Sequence, residues 1–200
     1  MMQGKIIGIG GTSGAGKDTL GHILATRHGF LFISVTDVLR EELRRRGSPL
    51  DREHLRALSA EWRTEYGLAV LIDRAVELFQ RSNAEPQEYA GVAIASLRNP
   101  YEADRIHELG GTVWWLDADP KLRYERIQRG AVERGRATED RVSFEEFLAQ
   151  EAAEMHGNGD AASLDMSKVR DKSDLSLQNT GSDMAEFAIE VDEVLRGLDS

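Results

Sequence analysis

The stretch GKIIGIGGTSGAGKDTL, Gly4 to Leu20, decides how the rest of the chain is read. A short apolar run, Lys5 to Ile9, has strand character and feeds a glycine-rich turn. A helical pattern follows from Lys17 to His28, with Leu20, Ile23 and Leu24 on one face. Strand, glycine turn, helix is the setting in which the pattern G-x-x-x-x-G-K-[ST] cradles phosphate as a P-loop. Gly11, Gly16 and Lys17 are in register, but Asp18 stands where the hydroxyl is expected, and the hydroxyl of Thr19 comes one place later. Backbone N–H groups of Thr12, Ser13, Gly14, Ala15, Gly16 and Lys17 would wrap a β-phosphate, aided by the partial positive charge of the helix N-terminus. Lys17 would reach the β- and γ-phosphates.

Beyond this turn, apolar runs alternate with helical patterns. FLFISV, Phe30 to Val35, is a second strand candidate, YAGVAIASL, Tyr89 to Leu97, a third, TVWWLDA, from Thr112, a fourth, and DLSLQN, Asp174 to Asn179, a fifth. Asp37 is positioned to cap a helix running through Arg46, and Ser48-Pro49-Leu50-Asp51 has the cap, proline, acid order of another helix start. Helical periodicity runs through Leu55, Leu58 and Trp62 and, after Gly67, through Val70, Leu71, Ala75 and Leu78. Asn99-Pro100-Tyr101-Glu102, Asp119-Pro120 and Ser143-Phe144-Glu145-Glu146 mark three further helix starts, and a last helix runs to about Leu195. MHGNGDAAS, from Met155, reads as a glycine-rich loop. Alternation of this kind predicts an α/β fold with a five-stranded parallel sheet and right-handed crossovers. Trp114 and Trp115 are neighbours, so they face opposite sides of a strand that a three-layer α/β/α arrangement would cover on both faces.

The 200 residues suit one domain, 1–200. Composition is that of a globular protein, and the chain has no cysteine, which rules out disulfides and thiolate metal sites. Its net charge of −10 disfavours nucleic acid and anionic lipid as partners, so an anionic ligand needs a local cationic site. No apolar run approaches the ~20 residues of a membrane span, and the first residues lead straight into a strand; a cytoplasmic protein without a membrane partner is the expectation. The five histidines show no metal spacing, and neither N-K-x-D nor G-x-S-x-G occurs.

GAGKDT resembles the GAGKGT loop of adenylate-kinase-like nucleotide kinases, which also lack a hydroxyl directly after the lysine. ISVTDVLREELRRRG, Ile33 to Gly47, resembles the start of their acceptor-binding domain, IASLRNP their strand ending in Asp-Gly-Ile-Arg or Asp-Gly-x-Pro-Arg, and DADPKLRYERIQRG their lid helix. QNTGS resembles an N-x-G-S turn near the ATP base in dephospho-CoA kinases. The order of these segments over most of the chain is similar to that of nucleotide-kinase-like proteins related to dephospho-CoA kinase. The resemblance implies a P-loop kinase with ATP and Mg²⁺, a helical acceptor-binding insert over 36–85 and an arginine-rich lid over 120–142. It implies that Arg40 and Arg98 hold an anionic acceptor and that Asn179 lies near the base.

Arg123, Arg126, Arg129, Arg134, Arg136 and Arg141 are interleaved with acids, so they form either a solvated ion-paired face or a lid closing on ATP. Arginine forks suit phosphate oxygens, and Arg126 and Arg129 are the first candidates to stabilise the transferring group, with Arg123 beside the nucleotide. The sequence departs from the family at Ala95, where an acid at the end of strand three would orient metal-bound water. Asp18, with Thr19, is the candidate metal ligand in its place, and Asp37 is a further acid for metal or for an acceptor hydroxyl. The leading expectation is transfer of the γ-phosphoryl to a small acceptor, a nucleoside or deoxynucleoside monophosphate, by a monomer or homodimer. Dephospho-CoA is the alternative acceptor, and an ATP-binding switch or assembly ATPase is the alternative class.

Overall fold

The computed structural model describes residues 4–82, 88–133, 142–157, 159–181 and 183–198. Five strands form its sheet: β1 (Lys5–Gly11), β2 (Phe30–Ser34), β3 (Gly91–Leu97), β4 (Thr112–Asp117) and β5 (Leu175–Gln178). Their order is β2-β3-β1-β4-β5, and every pair is parallel. Parallel neighbours need crossovers, and helices supply them: α1 (Lys17–His28), α2 (Val35–Arg46), α3 (Arg52–Tyr66), α4 (Val70–Ser82), α5 (Pro100–Glu108), α6 (Pro120–Glu133), α7 (Phe144–Met155), α8 (Met166–Asp171) and α9 (Met184–Leu198).

Two apolar clusters lie on opposite faces of the sheet. One joins Ile7, Ile9, Trp114 and Leu116 to α1 and α9. The other joins Ile6, Val92, Ile94 and Trp115 to α2, α3, α4, α5 and α8. The tryptophans divide as strand alternation demands, at 0% and 2% exposure. This is the three-layer α/β/α architecture of the P-loop kinases. The cost of truncating Trp114 to alanine is about 3–5 kcal/mol.

Several local readings shift by one or a few residues. Asp37 caps nothing: α2 begins at Val35 after Ser34, so Asp37 falls within its first turn. The cap of α3 is Asp51, whose carboxylate accepts from the His54 N–H, rather than Ser48. In α4 the buried residues include Val76 and Phe79, whereas Leu78 is exposed. The starts at Asn99 and Ser143 are both capping boxes, as their sequences suggest. Helix α8 has no counterpart in the sequence reading, being a six-residue helix capped by Asp165 that buries Met166 and Val169. A helix that short shows too few turns for periodicity to reveal it.

The sheet places its functional ends together. Strand β1 lies between β3 and β4, so the loops leaving all three open on one edge, where open α/β sheets hold ligands. At that edge the β1–β3 register shifts between Ile9 and Gly10: Ile9 lies opposite Ala95 and Gly10 opposite Leu97. The residue passed over is Ser96, which has φ 76°, in the left-handed region. A non-glycine residue there carries about 1–3 kcal/mol of strain, the kind that gathers at binding sites.

Candidate active site

The phosphate loop is built by backbone constraint. Gly11 has φ 143°, and a Cβ there would sit 2.1 Å from the Leu116 carbonyl oxygen of β4. Gly16 has φ 102°, and its Cβ would sit 2.6 Å from Asn179 Nδ2. That amide donates to Ala15 O at 2.8 Å, and the Thr12 hydroxyl donates to Asp117 Oδ1 at 2.6 Å. The loop is thereby held from β4 and from the turn after β5.

Arg123 completes this bracing. The sequence places it beside the nucleotide, but it is 2% exposed and is not part of the cavity wall. Its Nε donates to Ala118 O at 2.8 Å, its Nη1 to Ser13 O at 3.2 Å, and its fork pairs with the Glu151 carboxylate of α7. Its donors are committed to holding the loop in place.

Lys17 donates from Nζ to Gly11 O at 2.9 Å and to Thr12 O at 2.8 Å. Burial pushes its ammonium down to about 8 from the ordinary 10.5, and the nearby Arg98 guanidinium acts in the same direction, against Asp18 and Glu154. Asp18 is exposed and Thr19 is half-buried, and both face the cavity. Among the described residues no group of three or more His, Cys, Asp or Glu could hold a metal. A divalent ion here would therefore rest largely on phosphate oxygens with few protein ligands, which is how Mg²⁺ is commonly held. The hard oxygen donors of Asp18 and Thr19 fit it.

The cavity beside the loop has a volume of about 660 Å³ and extends under α2 and α3. Lys17 and seven arginines line it (Arg40, Arg52, Arg56, Arg63, Arg98, Arg126 and Arg129) against the carboxylates Asp18, Glu154 and Asp183. In a chain of net charge −10, this is the local cationic site that an anionic ligand requires.

The predicted residues fall into three groups. Ser13, Gly14, Gly16, Lys17, Asp18, Thr19, Arg40, Arg98, Arg126, Arg129 and Asn179 share the cavity. Gly11, Thr12, Ala15 and Arg123 shape or brace the loop without lining it. Asp37 stands apart: its side chain is 67% exposed and pairs with Arg40 at 2.8 Å. The start of α2 at Val35 directs Val35, Thr36, Leu39 and Arg40 to the cavity and leaves Asp37 out of its wall. The Asp37 carboxylate is tied to Arg40, itself a lining residue, rather than placed in the wall with the others.

Arg126 donates to Asn179 O, Asn179 Oδ1 and Gly181 O at 3.3, 3.2 and 2.7 Å. Burial, then the neighbouring Arg129, lowers its pKa, so it has reason to accept an anion. Ser182 of the N-x-G-S turn, and Arg134, Arg136 and Arg141 of the lid region, lie outside the described residues.

Sequence reasoning missed Arg52, Arg56 and Arg63, which α3 presents to the cavity. Their spacing of four and seven places them on one helix side, the signal that could have found them. Arg63 is spent on structure: buried beside Glu102 at 2.7 Å, it ties α3 to α5. Also missed were Ser96, which the register shift turns into the cavity, and Glu154, which bonds both Arg56 and Arg98. No local pattern announces either.

Comparison with known proteins agrees with this architecture. The family model AAA_18, described as an AAA domain, matches residues 7–145. A UPF0200 protein of Hyperthermus butylicus is 32% identical over 151 residues, 75% of each chain. A UPF0200 protein of Pyrobaculum aerophilum is 28% identical over 97% of this chain and 98% of its own. Among solved structures, shikimate kinase from Acinetobacter baumannii in complex with shikimate superposes with a TM-score of 0.55 at 15% identity, covering 97% of this chain and 94% of that one. At that identity the likeness concerns the fold.

Proposed function

Since the chain belongs to the AAA domain family AAA_18, within the P-loop NTPases, and to the UPF0200 proteins, we propose that it transfers the γ-phosphoryl group of ATP to a small anionic acceptor. One observation carries the reading: a single cavity is lined both by the phosphate loop and by the guanidiniums of Arg40, Arg56 and Arg98. A hydrolase or switch needs the phosphate loop; only a transferase needs the further arginines. A nucleoside or deoxynucleoside monophosphate is the favoured acceptor, because its phosphate suits arginine forks. Dephospho-CoA is the next choice.

In this reading the loop amides from Thr12 to Lys17 hold the β-phosphate. Lys17 exchanges the carbonyls of Gly11 and Thr12 for the β- and γ-phosphate oxygens. Asp18 and Thr19 would hold Mg²⁺, which would supply neutralising charge to the phosphates. Arg126 and Arg129 stabilise charge on the transferring group, and Arg40 and Arg98 orient the acceptor. Positioning and electrostatics carry this chemistry, so no covalent nucleophile is required. Asp18 takes over the carboxylate role that Ala95 cannot fill; full Mg²⁺-dependent turnover in both Asp18→Asn and Asp18→Ser would sink that assignment.

The missing acid at position 95 favours a second reading, a slow ATPase used as a switch. An acceptor screen with ATP and Mg²⁺, read by ADP formation and mass spectrometry, separates the two. A phosphorylated acceptor is the expected result. Phosphate release with no phosphorylated product points to the switch.

A further inference from the structure

Glu154 of α7 is 6% exposed and lines the cavity. One carboxylate oxygen accepts from Arg56 Nη2 at 2.5 Å and the other from Arg98 Nη1 at 2.8 Å. The two guanidiniums come from separate elements, α3 and the end of β3. Burial alone would raise the carboxyl's pKa, but Arg98, then Arg56 and Arg52, outweigh it and keep the group ionised. Arg52, one turn before Arg56, also lines the cavity, and its Nη1 donates to Gln150 of α7 at 2.7 Å. An anionic side chain of the protein thus sits between the forks that an anionic acceptor would use.

We propose that Glu154 is a tethered occupant of an acceptor anion subsite formed by Arg56 and Arg98, and that the group displacing it is a phosphate monoester rather than a carboxylate. The proposal rests on the kinase reading above. Charge and concentration decide between the two groups. A side chain held by its own helix competes at an effective concentration in roughly the millimolar range. A free carboxylate brings the same single charge and the same two oxygens, so it prevails only above that concentration. A phosphate monoester carries about 1.5–2 negative charges at neutrality and three acceptor oxygens, enough to serve both forks at once. Glu154 therefore sets a threshold that favours phosphate acceptors.

The test is calorimetric, in chain carrying Lys17→Ala so that the loop cation is silent. Inorganic phosphate and acetate are the probes. Phosphate should bind in roughly the millimolar range and acetate far more weakly. Glu154→Gln in that background should tighten both by about tenfold, the loss of a tethered competitor. Glu154→Asp, one methylene shorter, should give a smaller gain in the same direction, and it serves if the glutamine variant is poorly folded. Adding Arg56→Ala should remove most of the gain, because the released fork is gone. Unchanged or weaker phosphate binding in both Glu154 variants would overturn the proposal, leaving Glu154 as a brace. A gain that survives Arg56→Ala intact would overturn it too, as a general field effect. These titrations involve no nucleotide and no turnover, so their failure is distinct from a negative acceptor screen.

Discussion

The two sets of binding groups around the cavity are made in different ways. At the phosphate loop, the binding groups are backbone amides, and glycine geometry at Gly11 and Gly16 shapes them. For the acceptor they are side chains contributed by α2, α3 and the residue after β3. A backbone site is held by covalent geometry over a few consecutive residues. A side-chain site is held by packing and by ion pairs such as Arg63–Glu102 and Arg98–Glu154. The first should tolerate changes in the helical insert; the second should not. Asp117, Arg123 and Asn179 depart from this division, as side chains on which the backbone site leans.

Mutations test the division most directly. Lys17→Ala should lower turnover by about 10³-fold, as loss of a transition-state donor does; single-turnover kinetics would measure it. Arg98→Ala should lower kcat/KM for the acceptor by about 10²–10³-fold, the loss expected when one partner of a buried charge contact is removed. Nucleotide affinity, read by calorimetry, should change far less, even though Arg98 is close enough to act on the Lys17 ammonium. Equal losses for nucleotide and acceptor would mean that Arg98 serves the nucleotide as much as the acceptor.

Arg123→Ala should cost about 3 kcal/mol of stability in denaturant melts, because it strands Glu151 and releases Ser13 O. It should also weaken nucleotide binding, which a purely acceptor-side residue would not do. A variant that melts like wild type would deny the loop its brace.

Lys17 supplies a pH signature. Its folded pKa of about 8 lies below the ordinary 10.5, so the cost of holding it charged is fully present below pH 8 and fades as pH rises toward 10.5. In the nucleotide-free protein, Lys17→Met should therefore raise stability at pH 7 by on the order of 1–2 kcal/mol, with the advantage shrinking above pH 8. Phosphates beside the ammonium raise its pKa again, so nucleotide binding near pH 8 should take up a proton. Titrations in buffers of different ionisation enthalpy would detect that uptake.

The smallest expected effect is at Ser96. Glycine accepts φ 76° without strain, so Ser96→Gly should raise stability by about 0.5–1 kcal/mol, read as a higher Tm. A loss of stability would show that the serine side chain compensates for its backbone.

The parts legible in sequence share one property: their physics is local. A strand, a glycine turn and a helix within seventeen residues fixed the position of the phosphate loop, and capping boxes marked α5 and α7. Alternating apolar runs were enough for a five-stranded parallel sheet, because side-chain period follows from backbone geometry. Arg40 and Arg98 lay within segments of recognisable order, and both face the cavity.

The tertiary structure decided the rest. Whether Asp37 faces the cavity depended on where α2 starts, a shift of three residues that no pattern specified. Whether Arg123 faces ligand or braces the loop depended on Glu151, 28 residues later. Glu154 meets Arg98 across 56 residues and Arg56 across 98, and only the closing of α7 over α3 and β3 brings them together. The groups of the backbone cradle for phosphate are neighbours in the chain, although Asp117, Arg123 and Asn179 brace it from afar. The charge pattern that selects an acceptor is a property of contacts between distant segments, and no single stretch of sequence contains it.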